Sequence, residues 1–193
     1  MDRDRLTAFT DGVIAVIITI MVLELKAPHG TSLSALLEQW PSFLSYVLSF
    51  IYVGIYWNNH HHFFQLTPEV NGAILWANLH LLFWLSLVPF ATGWVGEAGF
   101  AAGPAAAYGA VLFMCAIAFF VMERVIVAAQ GESSPLKQAV GVDVKGKLSP
   151  FVYLSGVALA FYMPAISYAL YALVAAVWLV PDRRVEKVVA KRD

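Results

Sequence analysis

The sequence predicts an all-α membrane protein with six transmembrane helices per chain and both the N- and C-termini cytoplasmic. Three observations carry that prediction. Of the 193 residues, 60% are hydrophobic and 13% charged, with a mean hydropathy of +0.71, whereas soluble domains are about a quarter charged. Apolar runs long enough to cross a hydrocarbon core of about 30 Å, roughly 20 residues each, recur along the chain. The basic residues supply the orientation. With six spans, Arg3, Arg5, Arg124, Lys137, Lys145, Lys147, Arg183, Arg184, Lys187, Lys191 and Arg192 lie on or beside one face, leaving only Lys26 opposite. The positive-inside rule makes that face cytoplasmic.

The first span is predicted over residues 6–25 and is broken by Pro28-His29-Gly30. The N-terminal residues mix Asp2 and Asp4 with Arg3 and Arg5 and offer no small-x-small cleavage site, so the segment reads as a retained span and not a signal peptide. Residues 31–39, with Leu33, Leu36 and Leu37 at helical spacing, read as a turn of interfacial helix. Span two, over 41–59, starts on Pro41, which fits a first helical turn because its missing N–H has no partner there. Asn58-Asn59-His60-His61-His62 is expected to close it, and residues 68–72 to carry the loop. Span three covers 72–92 and holds Asn78 and His80 inside its start; polar residues at that depth rarely face lipid. Gly93 to Gly103 reads as a loop. Span four covers 104–128, with Glu123-Arg124 near its end.

Residues 130–148 form the one hydrophilic connection and read as a mobile loop. The apolar run 150–180 is 31 residues, about 46 Å as one helix, which overshoots the membrane. Met163-Pro164 falls in its middle, and a proline disrupts a helix interior, so the run divides into spans over 149–163 and 164–181. The tail 182–193 is basic and is expected to lie on anionic lipid. The whole chain, 1–193, reads as one domain. Cys115, the single cysteine, sits in an apolar run as a small core residue.

The chain opens on Arg5-Leu6-Thr7-Ala8-Phe9-Thr10-Asp11, which passes directly into an apolar helix ending Val-Leu-Glu-Leu-Lys-Ala-Pro. A charge near the bilayer centre costs about 2.5–3.5 kcal/mol on insertion scales, so Asp11 needs a partner; Arg5 and Thr10 are the nearest. The pattern R-x-x-x-F-[ST]-D at the head of a first span, with Trp-Asn-Asn-His-His in span two, resembles the transmembrane protein 175 family of cation channels, relatives of the lysosomal potassium channel. Thr10 stands where that family usually has Ser. The resemblance implies a single six-span channel domain, assembled as a homotetramer, passing potassium and other monovalent cations through the lipid bilayer of the bacterial inner (plasma) membrane.

It also implies that the first helix of each subunit lines the ion path. The positions carried over are Val16, Thr19 and Leu23, flanked by Ile20, three or four residues apart and so on one stripe. No Thr-Val-Gly-Tyr-Gly filter loop occurs in the chain, so selectivity would come from a narrow apolar ring, a hydrophobic gate in which Thr19 offers the only side-chain oxygen. A second constellation, Arg5, Phe9, Thr10 and Asp11 with Asn58, His60, His61, Asn78 and His80, places polar groups of three helices at one membrane level. It is expected to act as a structural hydrogen-bonded clamp.

The competing function classes have weaker support. A proton- or cation-coupled secondary transporter using Asp11, His80 and Glu24 is the alternative, but no repeat relates the two halves, as carriers commonly show. Consecutive His60, His61 and His62 splay about 100° apart on a helix and do not converge on one metal or haem, so no cofactor is expected. Asp11 and Glu24, 13 residues apart on one helix, stand about 20 Å apart along its axis and cannot act as an enzyme's acid–base pair. Glu24-Leu25-Lys26 is read instead as a weak local field at the outer mouth. A net charge of −1 leaves no basic stripe for nucleic acid.

Overall fold

The computed structural model describes residues 2–132, 134–141 and 143–179, all in helices and their connections, with no strand among them. The basic tail expected at 182–193 lies outside the described residues. Helix α1 spans Arg3–Leu23. It begins three residues before the expected span because the Asp2 side chain accepts from the Asp4 amide at 3.3 Å, satisfying one of the free N–H groups of the first turn. Leu6, Thr10, Ile14, Ile17 and Met21 form its buried face, a 3–4 spacing that follows from 3.6 residues per turn. Helix α2, Leu33–Leu37, is capped by Ser32 and leaves Leu33, Leu36 and Leu37 exposed.

Helix α3 runs Trp40–Gln65, so Asn58 to His62 lie inside it and do not close it. Nothing in that stretch breaks a helix before Pro68; the Thr67 hydroxyl instead donates to the Phe63 carbonyl at 2.7 Å at the exit. The third apolar segment is two helices, α4 over Gly72–Leu85 and α5 over Val88–Ala98. Pro89 has no N–H to give the Leu85 carbonyl, and the chain breaks one turn before it. Residues 93–98 are therefore helical, contrary to the loop expected from Gly93 and Gly96. Each glycine answers to a close approach: a Cβ at 93 would collide with the Glu24 carboxylate, and one at 96 would come 2.9 Å from the Ser42 Cα. Gly99, at φ 62°, ends α5 in the left-handed conformation.

Helix α6, Ala102–Gln130, is about 43 Å long and packs against α4 and α5 as well as the three helices that follow it. The connection expected to be a mobile loop contains helix α7, Pro135–Val140, and the start of α8, Val144–Leu159. Leu136, Ala139 and Val140 are buried, and Gln130 pins the segment by donating to the Leu66 carbonyl at 2.8 Å. Helix α9 covers Pro164–Leu179, so the long final run turns over residues 160–163 ahead of the proline. By length and composition, Arg3–Leu23, Gly72–Ala98 taken together, and Ala102–Gln130 are able to cross a membrane.

The centre of the bundle is tied by tyrosines. Tyr52 on α3 donates to the Tyr171 carbonyl at 2.5 Å, and Tyr171 on α9 donates to the Ala105 carbonyl of α6 at 3.2 Å. The Tyr108 hydroxyl lies 2.9 Å from Ser49 Oγ, which in turn is 2.7 Å from Thr92 Oγ1. Each hydroxyl thereby finds a partner without water, as a bilayer interior demands. Gly109 makes room for this cluster, since a Cβ there would overlap the fully buried Tyr171 ring. Gly109→Ala should destabilise the fold by about 1–3 kcal/mol, the usual range for overpacking, seen as a lower Tm of detergent-solubilised protein; an unchanged Tm would show that Tyr171 yields freely.

Candidate functional site

Helix α1 contacts α3, α4 and α5, and its two faces have different chemistry. On the inner face, Thr10 joins a buried polar node. Asn78 Nδ2 of α4 donates to Thr10 Oγ1 at 2.9 Å, and Asn78 Oδ1 lies 2.9 Å from His60 Nε2 of α3. Thr10, His60 and Asn78 are 0%, 1% and 2% exposed, so water is shut out and the three satisfy one another. With the Asn78 oxygen as acceptor, His60 carries its proton on Nε2. Its ring stacks on Phe64 at 4.5 Å between centroids.

The other residues expected in this cluster stand apart from it. Asp11 does not pair with Arg5 or Thr10: Trp57 Nε1 donates to Asp11 Oδ1 at 2.9 Å, both residues being exposed. Arg5 is exposed and has no side-chain hydrogen bond or ion pair among the described residues. Phe9 is 53% exposed on the outward side of α1, and Asn58 is half-buried. His61 Nε2 meets Gln65 Nε2 at 3.0 Å on the surface, and His80 Nε2 accepts from Trp84 Nε1 at 3.0 Å within α4. Asp11 and His80 therefore belong to separate contacts with separate indoles. Trp57 is the partner that sequence reasoning missed; its one signal was an indole donor in an apolar helix, which wants an acceptor.

The outward face of α1 holds Val16, Thr19, Ile20 and Leu23. Val16 is 54% exposed, Ile20 42% and Leu23 76%. The Thr19 hydroxyl donates to the Val16 carbonyl at 2.9 Å, which leaves its oxygen able to act as an acceptor. An open groove runs beside this stripe, bounded by Gly12 and Val13 of α1 and by Pro89 at the start of α5. At the far end Glu24 borders the groove's continuation with Phe90, Trp94 and Glu97. Lys26 is bonded to Glu97, whose hydrogen bond and charge raise the Lys26 pKa above its ordinary value, Glu24 adding to the effect.

Removing the middle of the polar node isolates a test of it. Asn78→Leu strands two buried groups, Thr10 and His60, each costing about 1–3 kcal/mol when unsatisfied. It should lower the Tm of the purified protein clearly more than Asp11→Ala at the exposed Trp57 contact; equal effects would deny the node its structural weight.

Comparison with known proteins places this geometry. The family model for the endosomal/lysosomal potassium channel TMEM175 matches residues 5–89. A potassium channel of Chryseobacterium sp. (strain P1-3) is 56% identical over 187 residues, 97% of each chain. A potassium channel of Streptomyces collinus is 39% identical over 100 residues, 50% of this chain and 48% of that one. The crystal structure of a lysosomal potassium-selective channel TMEM175 homolog from Chamaesiphon minutus matches with a TM-score of 0.81 at 28% identity, covering 93% of this chain and 97% of that chain. These matches agree with the family resemblance read from the sequence. The chain is an integral membrane protein of the TMEM175 family, a family of ion channels and not of enzymes.

Proposed function

We propose that copies of this chain assemble as a homotetramer to form a potassium-permeable channel in the bacterial inner membrane, with α1 of each subunit lining the path. The observation that carries this reading is the division of α1 into a face sealed by its own chain and a face that its own chain leaves uncovered. One helix cannot enclose an ion, so an uncovered lining stripe calls for further copies around an axis. In this arrangement α1, α3, α4 with α5, α6, α8 and α9 are the six spans of a single domain, and both termini are cytoplasmic. Helix α8, 16 residues, is about 24 Å long and would cross with local thinning of the bilayer.

In such a pore Val16, Ile20 and Leu23 form apolar rings that gate by excluding water. An ion crossing them must shed hydration, and the cost of moving a charge from water into an apolar ring is large. Potassium, the larger ion, sheds water at lower cost than sodium and is favoured. Thr19 contributes the one side-chain oxygen on the stripe. Its proton is already engaged with the Val16 carbonyl, so it meets a cation as an acceptor. Lys26 and Glu97 neutralise one another near the outer end, leaving Glu24 to bias the local field toward cations.

Purified protein in planar bilayers under a potassium/sodium gradient tests this. Unitary current steps are expected, whereas a saturating flux without steps would point to a carrier. Thr19→Val should move the reversal potential toward that of an unselective cation pore; an unchanged potassium preference would remove Thr19 from selectivity.

A further inference from the structure

The turn between α5 and α6 carries two energetic costs at one place. Phe100 is the one non-glycine residue with a positive φ among those described, at 66°. In that left-handed conformation a side chain crowds the following carbonyl, so it persists only where its surroundings hold it. Gly99, at φ 62°, already ends α5, so the strain at the next residue is not needed to stop the helix. What holds Phe100 is its ring. It packs 5.3 Å from the Trp40 ring at the start of α3 and 4.8 Å, edge to face, from the Tyr168 ring of α9. The second cost is the Tyr168 hydroxyl. It is shut off from solvent and, among the described residues, it is the one buried side-chain polar atom without a hydrogen-bond partner. Tyr52, Tyr108 and Tyr171 each have one.

A buried hydroxyl left unpaired is destabilising, and so is the Phe100 backbone. Withdrawing the Phe100 ring lets that backbone return to a negative φ and opens one side of Tyr168 to water, so a single movement relieves both. It is opposed by the loss of the two ring contacts. We propose that residues 99–101 form a strap poised between two states: closed, with the Phe100 ring wedged between Trp40 and Tyr168, and open, with that ring withdrawn and the Tyr168 hydroxyl hydrated. The strap is connected to α1. Glu97, two residues before Gly99, is bonded to Lys26, three residues past the end of α1, so opening is transmitted to the segment that follows that helix. The strap is a property of the single chain and does not rest on assembly or conduction.

The test is hydrogen exchange of the full chain in phosphatidylcholine nanodiscs, read at the Gly99 and Phe100 amides, which both donate to the Val95 carbonyl in the closed state. Tyr168→Phe keeps the ring and removes the stranded hydroxyl. It should favour the closed state and slow exchange by about threefold or more, whereas a tyrosine whose hydroxyl is satisfied gives the opposite sign. Phe100→Ala keeps the left-handed backbone but gives up the ring contacts, and should speed exchange by about tenfold or more. Unchanged or faster exchange in Tyr168→Phe, or unchanged exchange in Phe100→Ala, would overturn the proposal. Trp40→Leu removes one ring contact while leaving Phe100 and Tyr168 in place. It should also speed exchange and covers the case in which Phe100→Ala does not fold; an unchanged rate there would equally overturn the strap.

Discussion

The position of α1 depends on three side chains that cannot be hydrated: Thr10, Asn78 and His60. Each is polar, each is buried, and each finds its partner only if α1, α4 and α3 meet at one height. The constraint fixes rotation as well as position. Residues on a helix advance by about 100°, so turning Thr10 inward turns Leu6, Ile14, Ile17 and Met21 inward with it and sends Val16, Ile20 and Leu23 to the other side. A short polar contact thus sets which surface of a mostly apolar helix is left for other molecules. Hydropathy alone could not do this, because α1 is apolar on nearly every face beyond Asp11.

Elsewhere the bundle is held by close approach. Gly93 admits the Glu24 side chain, Gly96 admits the Ser42 backbone, and Gly109 and Gly156 admit the Tyr171 ring. Tyr171 then reaches across to α6 and receives the Tyr52 hydroxyl from α3. Small residues where helices meet are the usual means of tight packing in a membrane, where burial of apolar surface gives no preference for protein over lipid. Two tyrosines add direction to that packing, since the Tyr52 and Tyr171 hydroxyls each have a defined carbonyl acceptor.

The presence of helices was legible from the apolar runs, and the division of the last run from Met163-Pro164. Their limits were less so. Gly93 and Gly96 read as loop residues in a sequence, yet here they are sites of contact inside α5, and contact between distant segments leaves no local mark. The same holds for residues 135–140, a short helix set inside a polar connection, where Leu136, Ala139 and Val140 turn to the interior. In the candidate site, Thr10 and Asn78 stood out as polar residues within apolar helices. Which of three consecutive histidines faces them could not be read, because a step of one residue rotates the side chain by about 100° and the outcome depends on where α3 lies. The Asp11 partner was hidden for another reason: with span two expected to end at residue 59, a tryptophan at 57 reads equally well as a membrane-interface residue.

Cys115 sits at 0% exposure in the middle of α6, and it is the chain's single cysteine. The protein is in effect a blank background for thiol chemistry. A cysteine placed at any exposed position becomes the one accessible thiol of the chain, so a spin label or crosslinker attached there reports on that position alone, without first stripping out native sites.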